Sequence, residues 1–356
     1  MNKKESKIDI RSLSFSDLKD QLEKVDEKSF RAKQVYEWLW EKSCTDFDEM
    51  SNLSKALREK LKETYCINPV SILSSQLSED RTIKNAFKLH DSNIIEGVLI
   101  PTTERMTACV SSQVGCSLSC KFCATGYMDR KRNVNADEIY DQVVLISRQA
   151  EEKYQKPLTN IVYMGMGEPL LNYSNVLKSI ERITSPDGLN MAARRITVST
   201  AGIAKMIKKL GDDEVRFNLA LSLHAANDKK RNEIMPINEQ NSLEALADAL
   251  KYYYAKTNNP VTYEYIVFND FNDELSDAAE LAAFCKHVPC KVNIIEYNPI
   301  SFADFTNADA DKIELFADFL RKKGINTYVR RSRGKDIDAA CGQLAVKEKP
   351  AATVNA

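Results

Sequence analysis

Residues 115–123 of this 356-residue chain read GCSLSCKFC and directly follow an apolar run over residues 106–114. The stretch holds three cysteines, Cys116, Cys120 and Cys123, in CxxxCxxC spacing. Thiolates are soft ligands that select zinc, Cu(I) or iron–sulfur clusters. A [4Fe–4S] cluster usually takes four cysteines, so three would leave one iron open to another ligand. Two other interpretations stay open: a structural zinc site, which needs a fourth ligand, and a chance grouping of core cysteines.

Strands and helices alternate from residue 106 onward. The predicted strands comprise residues 106–114, 160–164, 195–200, 216–223, 261–268 and 291–297. The predicted helices comprise residues 136–153, 174–183, 203–210, 243–254, 276–286 and 308–323. This alternation is typical of α/β proteins with a parallel sheet and helical crossovers. Six such units predict a partial six-unit (β/α) barrel over residues 106–347, smaller than the eight-unit barrel.

Polar residues follow several predicted strands at their carboxyl ends, where ligands of parallel α/β folds gather. The second strand leads into residues 165–169, GMGEP, whose two glycines would let a ligand approach the backbone closely. The third strand reaches Ser199, and Asn298 follows the sixth. The fourth strand leads into His224, one of three histidines in the chain. A histidine at a strand end is usually a satisfied structural group, but this one lies at the predicted ligand edge.

The N-terminal part predicts a separate helical domain over residues 1–68. Its helices comprise residues 16–25, 31–42 and 53–65, the last preceded by the candidate caps Ser51 and Asn52. The exposed side of the third helix would carry four cations: Lys55, Arg58, Lys60 and Lys62. Such a face is either simply solvated or part of a nucleic-acid-binding module that contacts phosphates.

Residues 69–105 predict a β-type extension that contains strands over residues 86–90 and 94–100, the second ended by Pro101. Glu96 is an acid inside this otherwise apolar second strand. It is either an outward-facing residue of an alternating strand or, if it faces a cleft, a candidate general base.

Composition places the chain among cytoplasmic globular proteins. The net charge is −1, 43% of residues are apolar, and no apolar run approaches the length of a membrane span. The first residues, MNKKESKIDI, lack the apolar core of a signal peptide. Nine cysteines without a regular framework favour reduced, metal-binding or catalytic thiols. Ordinary structural roles are expected for Cys44, Cys66, Cys285 and Cys290.

The C-terminal part concentrates positive charge next to a cysteine. Residues 330–335 read RRSRGK, and Cys341 follows in a flexible loop with Gly342 beside it. A free cysteine is by default an inert, small apolar residue. Nearby cations would instead lower the pKa of its thiol and favour a nucleophilic thiolate. Residues 348–356 are predicted to form an unstructured tail.

Taken together, the motifs resemble those of the bacterial dual-specificity ribosomal RNA and transfer RNA adenine-C2 methyltransferases. That family is a branch of the radical S-adenosylmethionine (SAM) superfamily. The matching segments, in family order over residues 20–345, are FRAKQ (30–34), MSNLS (50–54), Cys109, CSLSCKFCATG (116–126), GMGEPLLN (165–172), SLHA (222–225) and residues 331–342.

The resemblance implies two cofactors. Cys116, Cys120 and Cys123 would hold one [4Fe–4S] cluster, and two SAM molecules would be used per turnover. The residues implied to line the SAM site are Gly167, Glu168, Ser199, Ser222, Leu223, His224 and Asn298.

The resemblance also implies a reaction. One SAM would methylate Cys341, and a radical from the second would take a hydrogen from that methyl group. The methylene radical would then add to the adenine carbon, which is too electron-poor for direct methyl displacement. Glu96 would accept the proton from the adenine, and Cys109 would attack the Cys341 sulfur to form a transient disulfide and release product.

The implied partners are ribosomal RNA and transfer RNA, with an electron donor such as flavodoxin or ferredoxin, no membrane, and a monomeric state. The target adenine would be flipped out of the RNA. The RNA backbone would be held by the N-terminal helices and by Arg330, Arg331, Arg333 and Lys335. Two alternatives stay open: a related enzyme that methylates adenine C8 and confers antibiotic resistance, and a zinc-containing RNA-binding protein without enzymatic activity.

Overall fold

The computed structural model describes residues 7–24 and 26–346. The predicted end of the first helix, Val25, and the predicted tail over residues 348–356 lie outside the described residues. The helices are α1 Phe15–Glu23, α2 Phe30–Trp40, α3 Lys55–Thr64, α4 Ala136–Tyr154, α5 Tyr173–Thr184, α6 Ala204–Asp212, α7 Asp228–Ile234, α8 Leu243–Thr257, α9 Leu275–Phe284 and α10 Ala310–Lys322. The strands are β1 Ile8–Asp9, β2 Tyr65–Cys66, β3 Ser71–Leu77, β4 Ile83–Lys88, β5 Ile94–Pro101, β6 Met106–Cys109, β7 Gln113–Val114, β8 Arg132–Asn133, β9 Asn160–Tyr163, β10 Ile196–Thr200, β11 Asn218–Ser222, β12 Val261–Val267, β13 Cys290–Glu296 and β14 Asn326–Arg330.

Within the described residues, one sheet runs in the order β14-β13-β12-β11-β10-β9-β6-β5-β4-β3. Neighbouring strands from β6 to β14 pair in parallel, whereas β5, β4 and β3 continue the sheet antiparallel. The six β/α units are therefore confirmed as a partial barrel. Helices cover the outside, so central strands are buried on both faces, and every residue of β12 is buried.

Two parts of the barrel differ from the sequence prediction. The strand predicted over residues 106–114 ends at Cys109, and residues 113–114 pair instead with residues 132–133 in a separate hairpin. Val110 and Val114 stay buried outside the strand, so the apolar pattern continues where the sheet does not. The seventh parallel strand, β14, was not predicted, because as an edge strand it keeps polar and exposed residues.

The N-terminal helices pack against the outer side of α4. Arg11 is almost fully buried and its guanidinium bonds Asp141 at 2.8 and 2.9 Å. The Trp40 and Tyr140 rings meet edge to face with centroids 5.1 Å apart. These contacts fix the helical region to the barrel, because separating the two parts would leave a buried charge without its partner.

The third helix differs in two details from its prediction. Its cap is Ser54, whose hydroxyl accepts the Leu57 N–H at 3.2 Å, rather than Ser51 or Asn52. Arg58 and Lys62 are half-buried, and the Lys62 ammonium lies 2.7 Å from the Asp48 carboxylate. The predicted basic face is thus partly neutralised. No helix in residues 7–24 and 26–346 combines the length and the apolar character needed to cross a membrane.

Candidate active site

A cavity of about 160 Å³ opens at the carboxyl ends of the parallel strands, as the fold predicts. Cys116, Cys120 and Cys123 line one side of it. Cys341, more than two hundred residues later in the chain, lines the same cavity. Four thiols from two distant segments therefore face one space.

The cysteine loop is held at its base by the β7–β8 hairpin, in which Gln113 pairs with Asn133. Burial raises the pKa of the Cys116 thiol to about 11 and also raises the pKa values of Cys120 and Cys123. The three thiols would thus be neutral on their own. They become thiolates only if a cation replaces their protons, which is the chemistry of a metal or cluster site.

Four of the polar side chains predicted to bind SAM line the cavity: Glu168, Ser199, Ser222 and His224. The buried Glu168 carboxylate accepts the backbone N–H groups of Leu170 at 3.0 Å and Ala201 at 2.7 Å. The hydroxyls of Ser199 and Ser222, on neighbouring strands, lie 3.3 Å apart. Each carboxylate oxygen has a further lone pair, so Glu168 can still accept a bond from a ligand.

His224 is buried and neutral. Burial, followed by the charge of Arg231, lowers its pKa to about 3. Its Nδ1 accepts the Ile266 N–H at 3.1 Å, which assigns the ring proton to Nε2. His224 therefore offers the cavity a neutral N–H hydrogen-bond donor and no charge.

Of the other predicted SAM-site residues, Gly167 lines the cavity, whereas Leu223 and Asn298 do not. Gly167 has φ +93°, which favours glycine. A Cβ added there would lie only 2.4 Å from the Cβ of Gln113, so no larger residue fits. This glycine is thus required by protein packing and not only by ligand approach. Leu223 is fully buried and does not line the cavity. Asn298 also lies behind the lining, where its amide donates to the Cys341 carbonyl at 3.1 Å.

The C-terminal loop that carries Cys341 is clamped rather than free, in contrast to the flexible loop predicted. The Ala124 N–H donates to the Gly342 carbonyl at 2.7 Å, and the Thr125 hydroxyl donates to the Leu344 carbonyl at 2.6 Å. From the other side Gln343 donates to the Pro299 carbonyl at 3.1 Å. The cysteine loop and the loop after β13 thus hold Cys341 between them.

Cys109 and Glu96 lie behind the C-terminal loop. Cys109 lines a second cavity, of about 50 Å³, together with Cys341, and burial raises its pKa to about 12. Glu96 lines neither cavity. It is buried beside Lys84, whose ammonium lies 3.7 Å from the carboxylate, and burial raises its pKa. Val98 pairs directly with Cys109, so Glu96, two residues away, shares its face of the sheet.

The four C-terminal cations each have an acidic partner. Arg330 lines the main cavity and lies 3.3 Å from Glu264. Arg331 and Lys335 both bond Glu296, the latter at 2.7 Å. Arg333 lies 4.0 Å from Asp80. Much of the predicted positive charge is therefore offset within the protein itself.

Two family models match the chain: the ribosomal RNA large subunit methyltransferase N-terminal domain over residues 8–67, and the radical SAM superfamily over residues 110–282. A probable dual-specificity RNA methyltransferase RlmN from Cytophaga hutchinsonii is 64% identical, covering 95% of this chain and 93% of the relative. Its counterpart from Bacillus pumilus is 43% identical, over 98% and 97%. The chain belongs to the RlmN family of radical SAM RNA methyltransferases.

A crystal structure of a radical SAM methyltransferase from Sphaerobacter thermophilus supports the same membership. It matches with a TM-score of 0.89 and 38% identity, covering 95% of this chain and 99% of that one. Membership of the RlmN family implies a [4Fe–4S] cluster and SAM as cofactors. The donor set fits such a cluster, because three thiols that can give up their protons to a metal line one cavity. In residues 7–24 and 26–346 no three His, Cys, Asp or Glu side chains are grouped around one point, as a single ion would require.

Two buried charged residues of the site escaped the sequence prediction. Arg231 is fully buried under the cavity, donating to the carbonyls of Ala201 at 2.5 Å and Leu223 at 3.0 Å. It lies in a run of charged residues, 228–231, that looks solvent-exposed by composition. Glu264 lines the cavity from β12. The signal that identified Glu96, an acid inside an apolar strand, would also have found Glu264.

Proposed function

We propose that this protein methylates C2 of adenine in RNA through a methylated Cys341. The substrates would be 23S ribosomal RNA, at the peptidyl transferase centre, and transfer RNA, at the adenine 3′ to the anticodon. The observation that carries the proposal is the single cavity lined by both the three cluster cysteines and Cys341. This shared cavity supports a reaction in which chemistry begins at the cluster and Cys341 is its first substrate.

When bound, the cluster and two SAM molecules supply a methyl group and one-electron chemistry that can activate it. Cys341 accepts the methyl group on its sulfur, held in place by Asn298 through its own carbonyl. Glu168, Ser199 and Ser222 offer acceptors and hydroxyls on the cavity wall for the polar end of SAM. His224 adds a neutral donor there.

The later steps fall to the two residues behind the C-terminal loop. After the Cys341 methylene carbon has joined the adenine, Glu96 takes the proton from the adenine carbon, and the adduct gives up one electron, which the cluster would take back. Burial raises the pKa of this carboxyl, which makes it a stronger base than an exposed glutamate. The Cys109 thiolate then attacks the Cys341 sulfur. The sulfur–carbon bond breaks, the product carbon gains a proton, and the two cysteines are left as a disulfide that an external thiol reduces.

The proposed partners are ribosomal RNA, transfer RNA and an electron donor such as flavodoxin or ferredoxin, for a monomeric enzyme of the cytoplasm. Carboxylates offset much of the charge of Arg331, Arg333 and Lys335, so these residues contribute a reduced part of the RNA affinity.

The test is a nucleoside analysis. Anaerobically reconstituted protein is incubated with SAM, dithionite and either a 23S fragment or transfer RNA, and the digested RNA is examined by mass spectrometry. We expect 2-methyladenosine in both RNAs, and none with the Cys341→Ser variant. 8-Methyladenosine would overturn the regiochemistry in favour of the antibiotic-resistance enzymes, and unmodified RNA would overturn the function.

A further inference from the structure

Two exposed aromatic side chains, one of them two residues from the cavity-lining Thr125, stack on each other. The rings of Tyr127 and Phe302 lie 5.2 Å apart, at an interplanar angle of 27°. Tyr127 is 47% exposed and Phe302 is 58% exposed. Single exposed aromatic residues are common, but two stacked rings form one contiguous apolar surface, on which a nucleic-acid base can stack. We call this pair the aromatic platform.

The platform lies on the two loops that hold Cys341. Tyr127 ends the short helical turn Ala124–Tyr127, which directly follows the last cluster cysteine. Phe302 lies in the loop after β13, three residues beyond Pro299. Both loops form hydrogen bonds with the C-terminal loop. An RNA base that reaches Cys341 would therefore approach a residue held by the two loops that carry the platform.

Three exposed cations lie in the same segment as Tyr127: Lys121, Arg130 and Lys131. None of them forms an ion pair with any of the residues that the structure describes. Arg130 only donates a hydrogen bond to the Asn133 side chain, at 3.1 Å. This contrasts with Arg331 and Lys335, which share Glu296. Positive charge that phosphates could use is therefore present in the segment that carries Tyr127.

We propose that the aromatic platform and these three cations form a subsite for the nucleotide next to the target adenosine. This inference rests on the proposed function, since it concerns the same RNA. When the adenine leaves the RNA stack, its neighbour loses a stacking partner, and an exposed ring face can replace it. The cations would bind the adjoining phosphates. An acidic electron donor would also be attracted by the cations, but it would have no need for two stacked ring faces beside Cys341.

RNA binding tests the subsite without requiring catalysis. The probe is a fluorescent transfer RNA anticodon stem-loop, bound to reconstituted protein without reductant. Tyr127→Ala and Phe302→Ala should each weaken binding by roughly fivefold or more, as expected for loss of one base–aromatic stack. Tyr127→Phe should bind like wild type. The matched control is Tyr252→Ala, which removes an exposed aromatic ring on the outer helix α8. Unchanged binding in both alanine variants would overturn the subsite.

Turnover measurements distinguish whether the platform contacts RNA or the electron donor. Both alanine variants should raise the KM for RNA with dithionite as reductant, while methylation of Cys341 without RNA stays at the wild-type level. A defect that appears only with flavodoxin, and disappears with dithionite, would assign the platform to the donor and overturn the proposal. If the wild-type protein methylates no RNA, the proposed function fails, and the binding comparison still decides whether the platform contacts RNA.

Discussion

Replacing His224 with asparagine should make the stability of this fold less sensitive to acid. The imidazole is buried at the end of β11, its Nδ1 accepts the Ile266 N–H at 3.1 Å, and its ring meets the Phe122 ring edge to face with centroids 4.7 Å apart. Burial and the Arg231 charge lower its pKa from an ordinary value near 6.5 to about 3. The folded protein therefore leaves this residue unprotonated over a range in which the unfolded chain protonates it.

The change in unfolding free energy with pH follows from the difference between the folded and unfolded pKa values of His224. Because the folded pKa is depressed, the stability from neutral His224 is fully present above pH 6.5. It is lost as pH falls toward the folded pKa near 3. At about 1.36 kcal/mol per pH unit, going from pH 7.5 to pH 5.0 should cost about 2 kcal/mol of unfolding free energy at this residue.

The assay is urea unfolding of the cluster-free protein under reducing conditions at both pH values. Wild type should lose about 2 kcal/mol more than His224→Asn between them. His287→Asn is the matched control, because it makes the same substitution at an exposed histidine outside the cavity. Equal pH dependence in wild type and His224→Asn would refute the reasoning, as would a titration of His224 near pH 6.5 in a nuclear magnetic resonance spectrum.

Three further outcomes are expected. Alanine in place of any one cluster cysteine should abolish cluster assembly and SAM cleavage; full iron content and turnover in such a variant would contradict the ligand assignment. Cys109→Ala should still gain the methyl group on its partner cysteine, then accumulate as a nuclease-sensitive protein–RNA adduct on denaturing gels; a normal methylation rate would exclude a resolving role. Neutralising Arg331 and Arg333 should flatten the salt dependence of RNA binding less than neutralising Arg130 and Lys131, since carboxylates already offset the first pair.

The barrel could be predicted because parallel strands covered on both faces are continuous apolar runs. β12 shows this most clearly. The same signal misplaced the end of the first strand, because Val110 and Val114 remain buried after the chain leaves the sheet. It also missed β14, whose edge position permits polar side chains. An apolar sequence pattern indicates which residues are buried. It does not indicate which of them pair in a sheet.

The site was predictable where one short motif carries the chemistry, as with the cluster cysteines. It was less predictable where function depends on partners distant in sequence. The cations at residues 330–335 appeared free, because nothing in the local sequence places Glu296 or Asp80 beside them. Arg231 appeared solvated for the same reason, although four carbonyl and amide oxygens surround its guanidinium. Long-range pairing has no signature in a single sequence.

The burial of the candidate residues orders the proposed reaction. Cys341 faces the cavity of the cluster cysteines, so its methylation needs no rearrangement. Cys109 is buried with a pKa of about 12, and Glu96 lies where Lys84 reaches both its carboxylate and the Asp338 carbonyl, at 3.7 and 3.5 Å. Both residues are therefore inactive while the C-terminal loop is clamped, because a neutral thiol is no nucleophile and a covered carboxylate cannot reach RNA. Loop displacement must come after methyl transfer to Cys341 and before product release. A variant that weakens the clamp at Thr125 should consequently form the Cys109–Cys341 disulfide in air, with dioxygen taking up the two electrons, before RNA has been methylated; mass spectrometry without a reductant would detect it.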